Sequence, residues 1–283
     1  MTMHNNTAEW FVPDNIELDK AVARTTHLAV GAHQDDLEIM AHDGILKCFG
    51  QKDRWFTGVV VTNGAGSPRD DLYAAYSDEE MQAVRRSEQK KAAYIGEYAA
   101  LAMLDFSSGE VKDPGNYDVV EDILTIIKAA QPAVIYTHNL ADKHDTHLSV
   151  ALRTIQAVRK LPVSERPKNM YGCEVWRSLD WMPDDRRIQF DVGAHPNVAA
   201  ALVGVFDSQI CGGKRYDKAT EGRRIANATY ADSHQTDSSQ AVILAMDLAP
   251  LITDDTLNVA EYVAEYIDAF SNDVRAKLEK FGC

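Results

Sequence analysis

"LAVGAHQDDLEIMAHDGIL" (residues 28–46) starts as a short apolar run, breaks on His33, Gln34, Asp35 and Asp36, and resumes with a helix-like pattern. Two adjacent carboxylates at the end of an apolar run repel each other, and each makes the other harder to ionise. A chain that keeps them there needs a compensating positive centre. The rest of the sequence must supply the other half of such a site.

Around this stretch, strand and helix signals alternate. "HLAVGAH" (27–33) reads as a buried strand, followed by a helix through "LEIMAHDGILKCFG" (37–50) that closes at Gly50. "WFTGVVVT" (55–62) is a second strand. "SDEEMQAVRRSEQKKAAYIG" (77–96) opens with a Ser cap and early acids and closes on Gly96, as a helix does. "YAALAMLDF" (98–106) is a third strand, residues 116–132 a helix, and "AVIYTH" (133–138) a fourth strand. A helix over 145–161 follows. This alternation predicts an α/β fold with a mainly parallel sheet covered on both faces and ligands at the carboxyl ends of its strands. Beyond residue 165 the pattern is less regular. "NMYGCEVWRSLDW" and "RRIQFDVG" read as strands, 197–210 and 216–234 as helices, and "TLNVAEYVAEYIDAFSNDVRAKLEKFG" as a long terminal helix. Without repeats or linkers, residues 1–283 read as one domain, with 1–25 as an extension and 165–283 completing the pocket.

The composition, 45% hydrophobic and 25% charged, is that of an ordinary globular chain. Net charge is −14, which argues against a nucleic-acid footprint. The densest basic stretch, "VRRSEQKK" (84–91), reads as a solvated helix face. No apolar run approaches the roughly 18–20 residues that span a bilayer. Residues 1–25 lack the apolar core of a signal peptide, and Cys48, Cys173, Cys211 and Cys283 form no CxxC pair. A reducing, cytoplasmic setting is the simplest expectation.

The second polar cluster follows the fourth strand. "THNLADKHDTHLSV" (137–150) offers His138, Asp142, His144, Asp145 and His147. A catalytic zinc site usually takes three ligands from His, Asp, Glu or Cys and keeps one position open. If His33 and Asp36 serve as ligands from one turn, Asp35 is left facing the open position, where a carboxylate can take a proton from water. His144 and His147 share a helix face, so one can be a ligand and the other a proton donor or oxyanion stabiliser. Each element alone has an ordinary explanation: a satisfied core histidine, an Asp36–Glu38 helix cap, a solvated acidic loop. Two such clusters at equivalent strand ends favour a metal site.

"AHQDDLEIMAHDG" (32–44) resembles the "(A/P)HPDDxEI…GG" signature of the PIG-L (LmbE-like) family of metal-dependent N-deacetylases. "VVVTNGAGSPR" (59–69) stands where that family has a "TxGexGtrG" loop, and "RRSEQKKAAYIG" (85–96) is similar to its "RxxEl..aa..LG" helix. "QPAVIYTHNLADKHDTH" (131–147) resembles "rPdvvvth…DxHxDH", and "ALVGVFDSQI" (201–210) is more loosely similar to its "kSQ" helix. The resemblance implies a Rossmann-like fold and hydrolysis of acetamido sugars or related amides with one zinc per chain, or another divalent metal such as Fe2+. It implies His33, Asp36 and His147 as ligands, Asp35 as general base and His144 as the catalytic histidine. Arg69 matches a loop arginine that contacts substrate, and Ser108 stands where a substrate-contacting Asp is usual. Glu38, Asp142 and Asp145 are candidates for orienting the ligands from behind. Two departures stand out: Gln34 replaces a proline, which should loosen the turn, and Thr146 replaces the Asp before the last ligand, passing its orienting role to Asp142, Asp145 or a hydroxyl.

The expected activity is therefore hydrolysis of an N-acyl amide on a sugar-like small molecule, with a protonated His144 stabilising the oxyanion. Neither a nucleic acid nor a membrane is expected as partner, and a homo-oligomer stays open. Two alternatives remain: a non-haem iron oxygenase, which uses two imidazoles and one carboxylate, and a non-catalytic sugar-binding domain. A nucleotide-binding domain would want a GxGxxG or GxxxxGK[ST] loop at the first strand–helix turn, and none occurs.

Overall fold

In the computed structural model, which describes residues 1–283, eight strands follow one another as β1 (Glu9–Phe11), β2 (His27–Gly31), β3 (Phe56–Thr62), β4 (Ala100–Phe106), β5 (Val134–His138), β6 (Asn169–Cys173), β7 (Ile188–Asp191) and β8 (Val242–Asp247). They form one sheet in the order β1-β4-β3-β2-β5-β6-β8-β7. The five central strands from β4 to β6 are parallel. At the edges β1 runs antiparallel to β4, and β8 antiparallel to both β6 and β7.

The helices are α1 (Leu18–Ala23), α2 (Asp36–Met40), α3 (His42–Cys48), α4 (Asp78–Ile95), α5 (Ser108–Lys112), α6 (Asp118–Ala130), α7 (Asp145–Arg159), α8 (Pro196–Gly204), α9 (Asp207–Gln209), α10 (Tyr216–Thr229), α11 (Ala249–Thr253) and α12 (Val259–Lys280). Strand side chains alternate between two cores, as a period of two requires. Leu28, Val30, Val59 and Val61 point to the face covered by α6, α7, α11 and α12. Ala29, Val60, Leu101 and Tyr136 point to the other, covered by α2, α3, α4 and α8. The expected α/β architecture is thus present, and no helix is long and apolar enough to cross a membrane. All four cysteines are free thiols.

Chain direction across the sheet reverses between β2 and β5: β3 and β4 extend one way from β2, while β6 extends the other way from β5. A crevice opens at the carboxyl ends of strands where the order reverses. The loops after β2 and β5, which carry the two polar clusters, flank it.

Local structure departs from expectation in several places: β1 pairs at the sheet edge from within the residues read as an extension, and the helix expected over 197–210 breaks into α8 and α9 at Phe206 (φ −86°, ψ 58°). The helix expected over 37–50 is split at Ala41 (φ −105°, ψ 21°), and every residue of α2 is buried. The strand expected over 169–181 stops at Cys173. There the buried Glu174 carboxylate accepts the N–H groups of Leu179 (2.6 Å) and Leu244 (3.0 Å) and curls the chain out of the sheet. β8 is not among the expected strands, although "AVILAM" (241–246) is the kind of short apolar run that a buried strand gives.

Candidate active site

Asp35 has φ 90°, in the left-handed region that a non-glycine residue enters only when its surroundings hold it there. They do so from α4. Gln89 Oε1 accepts the Asp35 N–H at 3.1 Å, and the Arg85 guanidinium donates to the Gln34 carbonyl and reaches Asp35 Oδ2 at 3.3 Å. The face of "VRRSEQKK" that carries Arg85, Glu88 and Gln89 is buried against the site, not solvated as expected, since their i, i+3, i+4 spacing puts them on one side of α4. Nor is the turn loose without proline. Gln34 is buried, and its Nε2 donates to the Thr62 carbonyl at 3.0 Å. Gly64 (φ 78°) packs so closely here that a Cβ would lie 2.6 Å from Gln34 Oε1.

With Asp35 in this conformation, its neighbour faces the second cluster. Asp36 Oδ2 lies 3.3 Å from His33 Nδ1 and 3.5 Å from His147 Nε2, and the two nitrogens are 3.1 Å apart. Donor atoms about 2.0–2.1 Å from a tetrahedral zinc stand about 3.3 Å from one another. The donor geometry therefore fits a small tetrahedral cation. Burial pushes the Asp36 carboxyl up, but the imidazoles of His147 and His138 override it and hold it well below the usual carboxylate range. Burial lowers His147 to about 4, leaving its ring neutral.

His138, at the end of β5, also approaches Asp36 Oδ2 (3.4 Å) and stacks on His147 with centroids 3.9 Å apart. Its Nε2 lone pair is taken by the Ala32 N–H at 2.9 Å, so it cannot also coordinate in this arrangement. Asp142 Oδ2 lies 3.5 Å from His147 Nδ1, while Asp145 is exposed at the start of α7. The Asp142 carboxylate accepts the N–H groups of His144 (3.0 Å) and Trp176 (3.1 Å). Burial raises its pKa, but His147 and the His144 N–H win and take it down to about 2. Of the groups open to replace the missing Asp at Thr146, Asp142 is the one facing His147.

His144 caps α7, and its Nδ1 accepts the Thr146 N–H at 3.3 Å. The neutral ring therefore carries its proton on Nε2. Burial, with the imidazole of His33 beside it, pushes its pKa below the ordinary value, so the protonated form expected from sequence is disfavoured here. Asp35 moves the other way: burial raises its carboxyl to about 7, with Arg85 opposing.

His33, Asp35, Asp36, Ser108, Thr146 and His144 line a cleft of about 450 Å³, walled further by Trp176, Gln209, Lys214 and Tyr216. Trp176, Lys214 and Tyr216 also border a side compartment of about 240 Å³ that reaches Arg224. Glu38 lies behind this wall. Its Oε1 accepts Gln89 Nε2 and Tyr98 Oη, each at 2.7 Å, which ties it to the group that holds the Asp35 N–H. Arg69 is not in the cleft: its guanidinium donates to Asp78 at the start of α4 and to the Ala65 carbonyl. His195 packs on Phe49, and His234 lies exposed in the loop after α10. Of the residues from 174 onward that wall the cleft, Gln209 lies in the loosely matched "ALVGVFDSQI" stretch, whereas Trp176, Lys214 and Tyr216 carry no motif.

The family model described as GlcNAc-PI de-N-acetylase (PIG-L) matches residues 28–158. Among curated proteins no sequence matches. Solved structures with similar coordinates include N,N′-diacetylchitobiose deacetylase from Pyrococcus horikoshii, with TM-score 0.64 and 15% identity over 84% of this chain and 88% of that one. A conserved protein from Thermus thermophilus gives 0.61 and 16% over 82% and 99%. The 4-carboxy-2-hydroxymuconate hydratase from Pseudomonas putida gives 0.61 and 15% over 79% and 95%. At these identities the likeness is one of fold. Residues 28–158, which run from β2 into α7 and hold both polar clusters, are thus the part of the chain that is similar to the PIG-L family.

Proposed function

We propose that the chain is a metal-dependent N-deacylase that removes an acetyl group, or a comparably small acyl group, from the amine of a sugar or sugar-like molecule. The observation that carries this reading is the set of three donor atoms, 3.1–3.5 Å apart, with the Asp35 carboxyl in the same cleft. His33, Asp36 and His147 would hold one zinc per chain, with another divalent cation such as Fe2+ as the variant; when bound it supplies a Lewis acid at the acyl carbonyl and lowers the pKa of water.

Asp35 takes the proton as a water oxygen bonds to the acyl carbon. Burial raises the Asp35 carboxyl above the usual carboxylate range, which makes it a stronger base than a solvated Asp. His144 presents a neutral Nε2–H to the oxyanion. When the C–N bond breaks, the proton held by Asp35 passes to the departing amine, and the products are a carboxylate and a free amine. Trp176 and Tyr216 offer aromatic faces to the amine-bearing part, and Ser108 a hydroxyl to the same cleft. On this reading the whole chain acts as one domain, since Trp176, Lys214 and Tyr216 come from beyond residue 165.

The test is incubation of zinc-loaded protein with a panel of N-acetyl sugars and their conjugates, scoring acetate and free amine together. Equal release of both, with or without oxygen, is expected. Turnover that consumes oxygen, or release of neither product from any member of the panel, would overturn the assignment.

A further inference from the structure

α12 is held to the body by its first half only. Tyr262 and Tyr266 are buried, Val259 and Val263 pack on the core, and the Tyr262 hydroxyl donates to the Asp247 carbonyl at 2.5 Å. From Asn272 to Lys280 every residue is exposed. More than two turns of helix thus project into solvent, and a helix end of that length draws little stability from its backbone alone.

The projecting part is not polar. Val274, Leu278 and Phe281 are solvent-exposed, from 38% at Val274 to 80% at Phe281, and Ile267 (51%) and Phe270 (39%, its ring edge-on to that of Trp181 with centroids 6.1 Å apart) continue the same line toward the body. At 100° per residue they fall within an arc of about 80°, a single continuous stripe. Charged residues flank it on both sides: Asp273, Lys277 and Lys280 on one, Asp268, Arg275 and Glu279 on the other.

We propose that this stripe is a self-association surface, pairing α12 with α12 of a second copy in parallel and in register. The flanking charges select both partner and direction. In a parallel pair each flank meets the opposite flank of the other copy at the same height. Arg275 then faces the partner's Asp273, and Glu279 faces the partner's Lys277 and Lys280, each contact occurring twice. In an antiparallel pair each flank would meet itself: Asp273 would reach the partner's Lys277, but Arg275 would meet the partner's Arg275 and Glu279 the partner's Asp268, so the balance favours the parallel pair. Arg275, Glu279 and Lys280 make no ion pair within the chain, and Asp273, bonded to Lys277 at 2.7 Å, keeps a second oxygen for Arg275. Five apolar side chains from each copy cover on the order of 1,000 Å² in total, near the lower margin of stable interfaces. The dimer is accordingly one that dissociates on dilution.

Sedimentation of the full chain at about 50 μM should give twice the monomer mass, moving to the monomer mass on roughly hundredfold dilution. Val274→Asp and Leu278→Asp, both at exposed positions that folding does not need, should each give a monomer at the higher concentration. Asp273→Lys should weaken the dimer several-fold, and Asp273→Lys combined with Arg275→Asp should restore it. Ile267→Cys, in a chain with Cys211 and Cys283 changed to Ser, should cross-link to its own copy under mild oxidant. In an antiparallel pair Ile267 would meet Phe281 instead. A wild-type chain that stays monomeric, a dimer indifferent to Val274→Asp, or a dimer in which Ile267→Cys does not cross-link would overturn the proposal.

Discussion

The Asp142 carboxylate stands 3.5 Å from Nδ1 of His147 and is fixed there by the backbone N–H groups of His144 and Trp176. A carboxylate in that position keeps the His147 proton on Nδ1 and leaves the Nε2 lone pair aimed at His33 and Asp36. Asp142→Asn should therefore fold, retaining one of the two side-chain oxygens that accept backbone N–H groups, yet bind metal about 10–100-fold more weakly. Competition with a chromophoric chelator measures this directly, and excess zinc should recover most of the lost turnover. Unchanged metal affinity would show that Asp142 only braces the loop.

Asp35→Asn separates chemistry from metal binding. Asn tolerates the left-handed backbone that Asp35 adopts, so the turn and its Gln89 contact should survive. Without a carboxylate to accept the proton, acetate release should fall by about 10²–10⁴-fold. Elemental analysis should still find one metal per chain. Substantial residual activity would assign the base elsewhere.

How much of this was legible beforehand depended on range. His33, Asp36, His144 and His147 sit within short motifs at strand ends, so their convergence followed from a parallel sheet and its crevice. Arg85 was harder. It lies in a basic stretch whose charge suggested solvent, and only its spacing with Glu88 and Gln89 gave the buried face away. Arg69 pointed the other way: the loop resemblance set it at the substrate, but the nearby Asp78 claims its guanidinium. The left-handed turn at Asp35 is invisible in residue types, because it is imposed by Arg85 and Gln89, which lie far along the chain on α4. Trp176 reaches the cleft because Glu174 ends β6 with hydrogen bonds to Leu179, Asn227 and Leu244, and no local pattern encodes those.

Trp176 walls both the main cleft and the side compartment, and its ring lies 6.2 Å from that of His144. A residue that holds the amine-bearing part in ground state and transition state alike affects binding more than chemistry. Trp176→Ala should raise KM about tenfold, the equivalent of about 1.4 kcal/mol, while kcat changes by less than about threefold. Its backbone N–H to Asp142 is kept, so metal content should not change. A loss confined to kcat would place the ring at the reacting centre instead.

Acid stability reports on His27, far from the cleft. Burial lowers its pKa to about 4, Lys47 and Arg54 push in the same direction, and only Asp43 opposes. The ring stays neutral in the folded protein, with Nδ1 2.9 Å from the Thr26 hydroxyl and the ring stacked on Tyr136. In the unfolded chain it titrates near 6.5. Between pH 6.5 and 4 the unfolded state therefore binds one more proton, so stability is fully present above this window and falls as pH drops through it. The loss amounts to at most about 3 kcal/mol, with a slope of about 1.4 kcal/mol per pH unit. His27→Gln should be less stable at pH 7 but should lose less on acidification, which urea unfolding at pH 7, 5.5 and 4.5 measures. Parallel stability profiles for the two proteins would mean that His27 keeps an ordinary pKa in the fold.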